Sequence, residues 1–278
     1  MQYRNTAIFS DLDGTLFRSD SVIGEKNREA IRLYTEAGGL FAIATGRSYP
    51  NALYYMKTVV PNAPSIVYNG SGVFDPKTGD YPYRVHVDQD AMLKVLLWCR
   101  KRLPGLDIQV YGEQMTYYVS PRETAERRLV EQLLPCEFRA IEEVQSLPWF
   151  KALLYGTPPE IAALNAYLAD QRLDERLAVV RAITGIPPYY EHIELLPKNV
   201  NKGTALDACR ALPCFTGRTL IGVGDYTNDY ELLAAADVAC CPSNANDAIQ
   251  KICDHILVSN DEEAIADLIL SVIPALPE

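Results

Sequence analysis

The sequence predicts an α/β fold: a doubly wound parallel sheet with a smaller α+β unit inserted into it. Three observations carry the prediction. Short apolar runs alternate with helical stretches at both ends of the chain, as in a parallel sheet covered on both faces. Asp11, Thr45, Asn69 and Asp225 stand at or just past the carboxyl ends of such runs, where open parallel sheets bind ligands. From about Tyr83 to Tyr190 the rhythm changes to closely spaced strands mixed with helices.

Ala7-Ile8-Phe9 is a short strand ending at Ser10-Asp11. Ala30, Leu33, Tyr34 and Ala37 then recur at i, i+3, i+4 and i+7, the stripe of an amphipathic helix, and Gly38-Gly39 stops it. Leu40 to Ala44 is unbroken apolar sequence, a strand buried on both faces. Ile66-Val67-Tyr68 is a third strand. Toward the C-terminus, Gly203 to Leu212 reads as a helix and Thr219 to Val223 as a strand leading into Gly224-Asp225. Tyr230 to Ala236 is helical, and Val238-Ala239-Cys240 and Ile256-Leu257-Val258 are strands.

The insertion opens with a helix over Gln89–Leu103, followed by strands Ile108–Tyr111 and Thr116–Val119 that form a hairpin around Gly112. A helix Arg122–Leu134, a strand Lys151–Tyr155, a helix Pro159–Asp170 and two closing strands complete it. Pro82 and Gly185-Ile186-Pro187-Pro188 supply hinges. The boundaries are therefore 1–83 with 191–278 for the parallel-sheet domain and 84–190 for the insertion.

Bulk properties narrow the function. The 278 residues are 48% hydrophobic and 22% charged, an ordinary globular mixture long enough for two domains. No apolar run approaches the roughly 20 residues of a membrane span. The first apolar stretch is short and runs into Ser10-Asp11-Leu12-Asp13, unlike a signal peptide, so a cytoplasmic location is expected. Seven cysteines form no CxxC pair, and Cys240 and Cys241 are adjacent; reduced thiols buried as small hydrophobes are expected. A net charge of −10 argues against nucleic-acid binding.

The chemistry lies at the strand ends. In Asp11-Leu12-Asp13-Gly14-Thr15, two carboxylates at i and i+2 project to one side of an extended chain, and Gly14 allows a sharp turn. Close carboxylates repel, which a divalent cation or shared proton relieves. Magnesium suits such hard oxygen ligands, with Asp225 as a third, and a carboxylate is also a competent nucleophile toward phosphorus. The plainer alternative is an Asx turn followed by a glycine turn. Thr45-Gly46-Arg47 offers a hydroxyl, an amide and a guanidinium to a phosphate, or is simply a turn, and Asn69-Gly70-Ser71 reads as a tight turn unless a substrate lies above it. Lys202 opens a helix, where the helix dipole gives it no benefit; a bound phosphate would give it a role, and a solvated surface lysine is the alternative. Gly224-Asp225-Tyr-Thr-Asn228-Asp229 gathers three acceptor side chains. Helix capping by Thr227 or Asn228, with Asp229 favoured by the dipole, accounts for Asn228 and Asp229 but not for Asp225.

In this order, Asp11-x-Asp13-Gly-Thr, Thr45-Gly46-Arg47, Lys202-Gly203 and Gly224-Asp225-x-x-Asn228-Asp229, the chain resembles the haloacid-dehalogenase-like hydrolases over essentially its whole length. More narrowly, with Lys151 to Tyr155 and His192-Ile-Glu194-Leu-Leu-Pro197-Lys198, it resembles the Cof-type phosphatases, which carry a type IIB cap inserted in a Rossmann-like core. The resemblance implies that Asp11 attacks phosphorus and that Asp13 protonates the leaving alcohol and then activates water. Thr45 and Lys202 would hold the transferring group. Mg2+ would sit on Asp11, the Asp13 backbone carbonyl and Asp225, with Asn228 and Asp229 completing the site through waters or hydrogen bonds. Gly46, Arg47, Asn69 and Asn228 would face a small phosphorylated metabolite, chosen by the cap. The chain departs from the family at Cys241-Pro242-Ser243-Asn244-Ala245, where Met-Gly-Asn-Ala is usual, and at the bulky Tyr226.

Two other functions fit the same residues: a phosphosugar mutase that returns the phosphoryl group to sugar, and a catalytically silent binding module. The intact Asp11, Asp13, Lys202 and Asp225 oppose the second. Tyr111, Tyr117, Tyr118, Tyr189 and Tyr190 are assigned to packing in the inserted domain in preference to stacking on a ligand.

Overall fold

A computed structural model describes residues 3–120, 136–183 and 191–276. The chain divides into two compact units, Met1–Arg84 with Asn201–Glu278, and Val85–Val200.

The first unit begins with β1 (Thr6–Ser10), α1 (Glu25–Glu36), β2 (Leu40–Ile43) and α2 (Tyr49–Met56). A hairpin-connected trio follows: β3 (Ser65–Val67), β4 (Gly72–Asp75) and β5 (Asp80–Arg84), antiparallel in the order β3-β4-β5. The trio adjoins the parallel sheet through a bridge from Ala44 to Ile66. Pro82, expected as a hinge, lies inside β5 and is exposed. β5 pairs only with β4, and an edge strand tolerates a residue without an N–H.

The second unit holds α3 (Gln89–Arg102), β6 (Asp107–Gly112), β7 (Thr116–Tyr118), β8 (Cys136–Phe138), β9 (Trp149–Gly156), α4 (Pro158–Asp170), β10 (Leu177–Ile183) and β11 (Glu191–Pro197). Its six strands run in the order β10-β11-β9-β6-β7-β8. β6 and β7 form the expected hairpin. Ile108, Val110, Ala152, Leu154, Ile193 and Leu195 pack beneath Val95, Leu96 and Leu164 of the two helices. β11 is hydrogen-bonded between β9 and β10, so residues 191–200, expected in the parallel-sheet domain, belong to this unit. Tyr118 is buried and Tyr117 packs on the unit's core, as packing residues should. The helix expected over 122–134, the hinge at 185–188, and Tyr189 and Tyr190 fall outside the described residues.

The chain then returns to the first unit with α5 (Lys202–Arg210), β12 (Thr219–Val223), α6 (Tyr230–Ala235), β13 (Val238–Pro242) and β14 (His255–Leu257). The parallel sheet has the order β14-β13-β12-β1-β2. β1 is flanked by β2 on one side and β12 on the other, so the order reverses at β1, the switch point where such sheets bind ligands. Ala7 and Phe9 of β1 pack with Ala205, Leu206 and Cys209 of α5. Full burial of an apolar side chain such as Phe9, which is 0% exposed, contributes about 1.5–3 kcal/mol.

α1 buries Asn27, Ala30, Ile31 and Tyr34, whereas Leu33, expected in its apolar stripe, is 43% exposed. The cause is a distant partner. Asn27 donates its N–H to Glu263 Oε2 (2.7 Å) and accepts from Ala266 N–H at Oδ1 (2.8 Å), which turns the Asn27 face inward. All seven cysteines are free thiols. No helix among the described residues is long and apolar enough to cross a membrane.

Candidate active site

The register of three strands brings the site together. Ser10 of β1 aligns with Val223 of β12 and Ile43 of β2. Asp11 therefore emerges between the Thr45 and Asp225 loops, and its N–H donates to Val223 C=O at 2.8 Å. Beyond it, residues 12–16 make one wide turn closed by Phe17 N–H on Leu12 C=O, 2.8 Å. Gly14 sits in that turn at φ +80°, and a Cβ there would stand 2.4 Å from Asp225 Oδ2. Only glycine admits both the backbone and the carboxylate.

Lys202 is the first residue of α5, whose Asn201 cap accepts Thr204 N–H at 2.9 Å. Its side chain is 0% exposed, and Nζ donates to Asp11 Oδ1 (2.7 Å) and Asp229 Oδ1 (2.5 Å). Two carboxylates thus give this lysine a place that the helix dipole does not. Asp229 caps the turn that opens at Tyr226 and also partners Lys202. It is fully buried, and its Oδ2 accepts the N–H groups of Asp225 and Tyr226, both at 3.1 Å. Gly224 makes room for it, since a Cβ at 224 would lie 2.4 Å from Asp229 Cβ.

Asp11, Asp225 and Asp229 each present a carboxylate oxygen within 4.8 Å of the other two. Burial pushes Asp11 up to about 8; Lys202 opposes the shift, and the charges of Asp229 and Asp225 add to it. Burial likewise pushes Asp225 up to about 6, against a hydrogen bond from Thr15. Burial alone would lower the Lys202 ammonium, but its two carboxylate partners outweigh that and hold it above its usual value. Fully ionised, three carboxylates and one ammonium leave two negative charges unmatched, and a divalent cation would cancel both. The donors fit such an ion. Lys202 takes Oδ1 of Asp11 and Thr15 Oγ1 takes Oδ1 of Asp225 at 2.7 Å, leaving Oδ2 of each for a hard cation. Both oxygens of Asp229 are engaged, so it braces the site.

A family model described as haloacid dehalogenase-like hydrolase matches residues 8–269. The chain belongs to the haloacid dehalogenase-like hydrolases. It is 25% identical over 283 residues to an Arabidopsis thaliana protein named Endoribonuclease YBEY, chloroplastic, an alignment that takes 94% of this chain and 45% of that protein. The chain thus spans under half of that relative. It is 23% identical over 279 residues to 5-amino-6-(5-phospho-D-ribitylamino)uracil phosphatase YitU of Bacillus subtilis, covering 96% of this chain and 97% of the relative. A crystal structure of a haloacid dehalogenase-like hydrolase from Bacteroides thetaiotaomicron superposes with a TM-score of 0.79 at 22% identity, over 95% of this chain and 98% of that one, which supports the fold.

In this haloacid dehalogenase-like hydrolase the remaining predicted residues contact one another. Thr45 is buried, with its N–H on Ile66 C=O (3.0 Å) and its Oγ1 accepting Arg47 N–H (3.2 Å). Asn69 holds a left-handed backbone at φ +54° and donates its N–H to Thr45 C=O at 3.0 Å. Its Oδ1 accepts from Asn228 Nδ2 at 3.4 Å, and a Cβ at Gly46 would lie 2.9 Å from Asn69 Nδ2. Gly46, Asn69 and Asn228 are therefore neighbours. Asp13 departs from the expected cluster: its side chain is 59% exposed and paired with Arg47. Its carboxylate is not among the grouped acids, which leaves its backbone carbonyl as the group it could offer a metal.

Sequence reasoning missed two supports. Thr15, in the Asp-x-Asp-Gly-Thr run itself, orients Asp225. Asn244, in the loop that departs from the family, donates Nδ2 to Gly14 C=O (2.9 Å) and accepts Asn260 N–H at Oδ1 (2.9 Å). Asn246 N–H reaches Asp225 C=O at 3.2 Å. The altered loop thus still ties the Asp11 turn to the Asp225 loop.

Proposed function

We propose that this hydrolase is a magnesium-dependent, cytoplasmic phosphatase of small phosphorylated metabolites that works through a phosphoryl group on Asp11. The observation that carries the reading is the buried Asp11 carboxylate, held by Lys202 on one oxygen and placed with Asp225 to share a cation on the other. Three Bacillus subtilis relatives named as phosphatases of 5-amino-6-(5-phospho-D-ribitylamino)uracil support a phosphate ester of a sugar, polyol or similar small molecule as substrate. A net charge of −10 fits a small substrate better than a nucleic acid.

In this mechanism Asp11 attacks phosphorus with the carboxylate oxygen that the cation does not hold, the P–O bond to the leaving group breaks, and the departing oxygen takes a proton from Asp13. Asp13, now a carboxylate, accepts a proton from water as that water attacks the phosphoryl-aspartate, and Asp11 is freed. Lys202, Thr45 and the Gly46 amide stabilise the equatorial oxygens. Mg2+, on Asp11, Asp225 and the Asp13 carbonyl with Asp229 bracing, would supply charge neutralisation to the transferring group. Asn69 and Asn228 bind substrate beside it.

A screen of phosphorylated metabolites for phosphate release tests this, with sugar and ribityl phosphates included. Activity should vanish on chelation, return with magnesium, and be lost in a folded Asp11→Asn variant. Near-normal turnover by Asp11→Asn would refute the nucleophile.

A further inference from the structure

The Asp13–Arg47 contact is a two-pronged fork: Nε donates to Oδ2 at 2.9 Å and Nη2 to Oδ1 at 2.8 Å. The guanidinium is itself gripped from α2. Nη1 donates to Asn51 Oδ1 at 2.8 Å, and the guanidinium carbon lies 4.5 Å from the Tyr55 ring centroid. Asn51 and Tyr55 are four residues apart, so they share one face of that helix. The helix is itself anchored at its start by Ser48 Oγ, which accepts Asn51 N–H at 3.3 Å. Arg47 is therefore fixed by α2 before it meets Asp13, and three of its five N–H groups are committed.

We propose that Arg47, mounted on α2 by Asn51 and Tyr55, is a positioning residue that aims the Asp13 carboxyl at the leaving-group oxygen. Substrate phosphate binding is not its main task. The proposal rests on the reading of Asp13 as the proton donor and acceptor. Asp13 lies on a turn with its side chain largely in water, and among the described residues Arg47 is its only side-chain partner. An unpinned carboxyl there would sample several rotamers, and a proton donor off its line loses rate steeply. The planar fork fixes both oxygens at once, which an ammonium cannot do. When Asp13 carries its proton, one prong gives way and the other keeps the group aimed. The proton then passes to the leaving oxygen, which retains the electron pair of the broken P–O bond.

The test uses the magnesium-loaded enzyme and two esters. One is an alkyl phosphate hydrolysed by the wild type, which needs a protonated leaving group. The other is p-nitrophenyl phosphate, whose leaving group departs as its anion. Arg47→Lys should lower kcat/KM for the alkyl ester by about 10²-fold, the scale of general acid catalysis. For p-nitrophenyl phosphate kcat/KM, which reports phosphoryl transfer alone and not the later attack of water, should change by less than about 3-fold. Asn51→Ala and Tyr55→Leu, which leave the fork's own residues in place, should reproduce the same split in weaker form. Equal losses of kcat/KM on both esters, or no loss on either, would overturn the proposal and make Arg47 a phosphate binder or a structural residue. A wild type that releases phosphate from no alkyl phosphate of the screen and none from p-nitrophenyl phosphate would instead remove the phosphatase reading, and this proposal with it.

Discussion

Replacing Lys202 with Met removes the only cation among the described residues that is hydrogen-bonded to Asp11 and Asp229, while keeping the shape of the side chain. Lys202 is fully buried and bonds to both carboxylates at 2.7 and 2.5 Å. Stripping one partner from a buried ion pair costs about 3–5 kcal/mol. A carboxylate left in that position has an escape: it can take a proton from water. For a side chain with a free pKa of about 3.9, that costs about 1.4 kcal/mol for each pH unit above it. The ceiling is then about 4 kcal/mol at pH 7 and about 2 kcal/mol at pH 5.5. Lys202→Met should therefore lose about 4 kcal/mol of stability at pH 7 and about half of that at pH 5.5.

The probe has to report on the right unit. Both tryptophans, Trp98 and Trp149, lie in the second unit, so their fluorescence would miss the event. Urea unfolding followed by far-ultraviolet circular dichroism sees the parallel sheet, as does exposure of the buried thiols Cys209 and Cys240. A loss below about 1 kcal/mol at pH 7, or one that is the same at both pH values, would refute the account of Lys202 as a charge clamp. The double variant Lys202→Met with Asp229→Asn should be more stable than Lys202→Met alone, because it removes the stranded charge with its partner.

Metal and pH should act on stability together. Asp11 at about 8 and Asp225 at about 6 are both raised from 3.8. The stability tied to their protonation is fully present below about pH 4 and is lost as pH rises through those values. Stability of the metal-free protein should fall across that window, and magnesium, which favours the ionised forms, should stabilise more at pH 8 than at pH 5.5. A thermal-melt titration in which magnesium stabilises equally at both pH values would contradict the charge balance drawn above. Gly14→Ala places a Cβ against Asp225 Oδ2 and forces alanine to φ +80°. It should cost about 1–2 kcal/mol in backbone strain alone and weaken magnesium binding by calorimetry; unchanged affinity would show that Asp225 has room to move.

Where the sequence was legible, the signal was local. Each acid or hydroxyl of the site follows an apolar strand, and in a parallel sheet adjacent strand ends lie side by side. Ser10, Ile43 and Val223 in register thus bring Asp11, Thr45 and Asp225 together from three distant stretches. The misreadings share a different cause: the deciding partner is far away in the chain. Asn27 turns α1 inward because Glu263 and Ala266 bind it. β11 joins the second unit because β9 and β10 leave a place between them. Pro82 is read as a break until β4 is seen to need only one edge of β5.

The same distinction separates residue type from residue task at the site. The Asp-x-Asp spacing predicts two carboxylates on one side of an extended chain, but the wide turn of residues 12–16 begins between them. One acid then faces Lys202 and the other faces Arg47. That separation has a chemical use. Asp11 works as a nucleophile if it stays beside the cation site, and Asp13 can exchange a proton only if it stays outside it, since a metal-bound carboxylate holds no proton. Spacing alone could not tell the two acids apart; the two cations that flank the pair, Lys202 buried and Arg47 at the rim, do, and they support the proposed division of tasks.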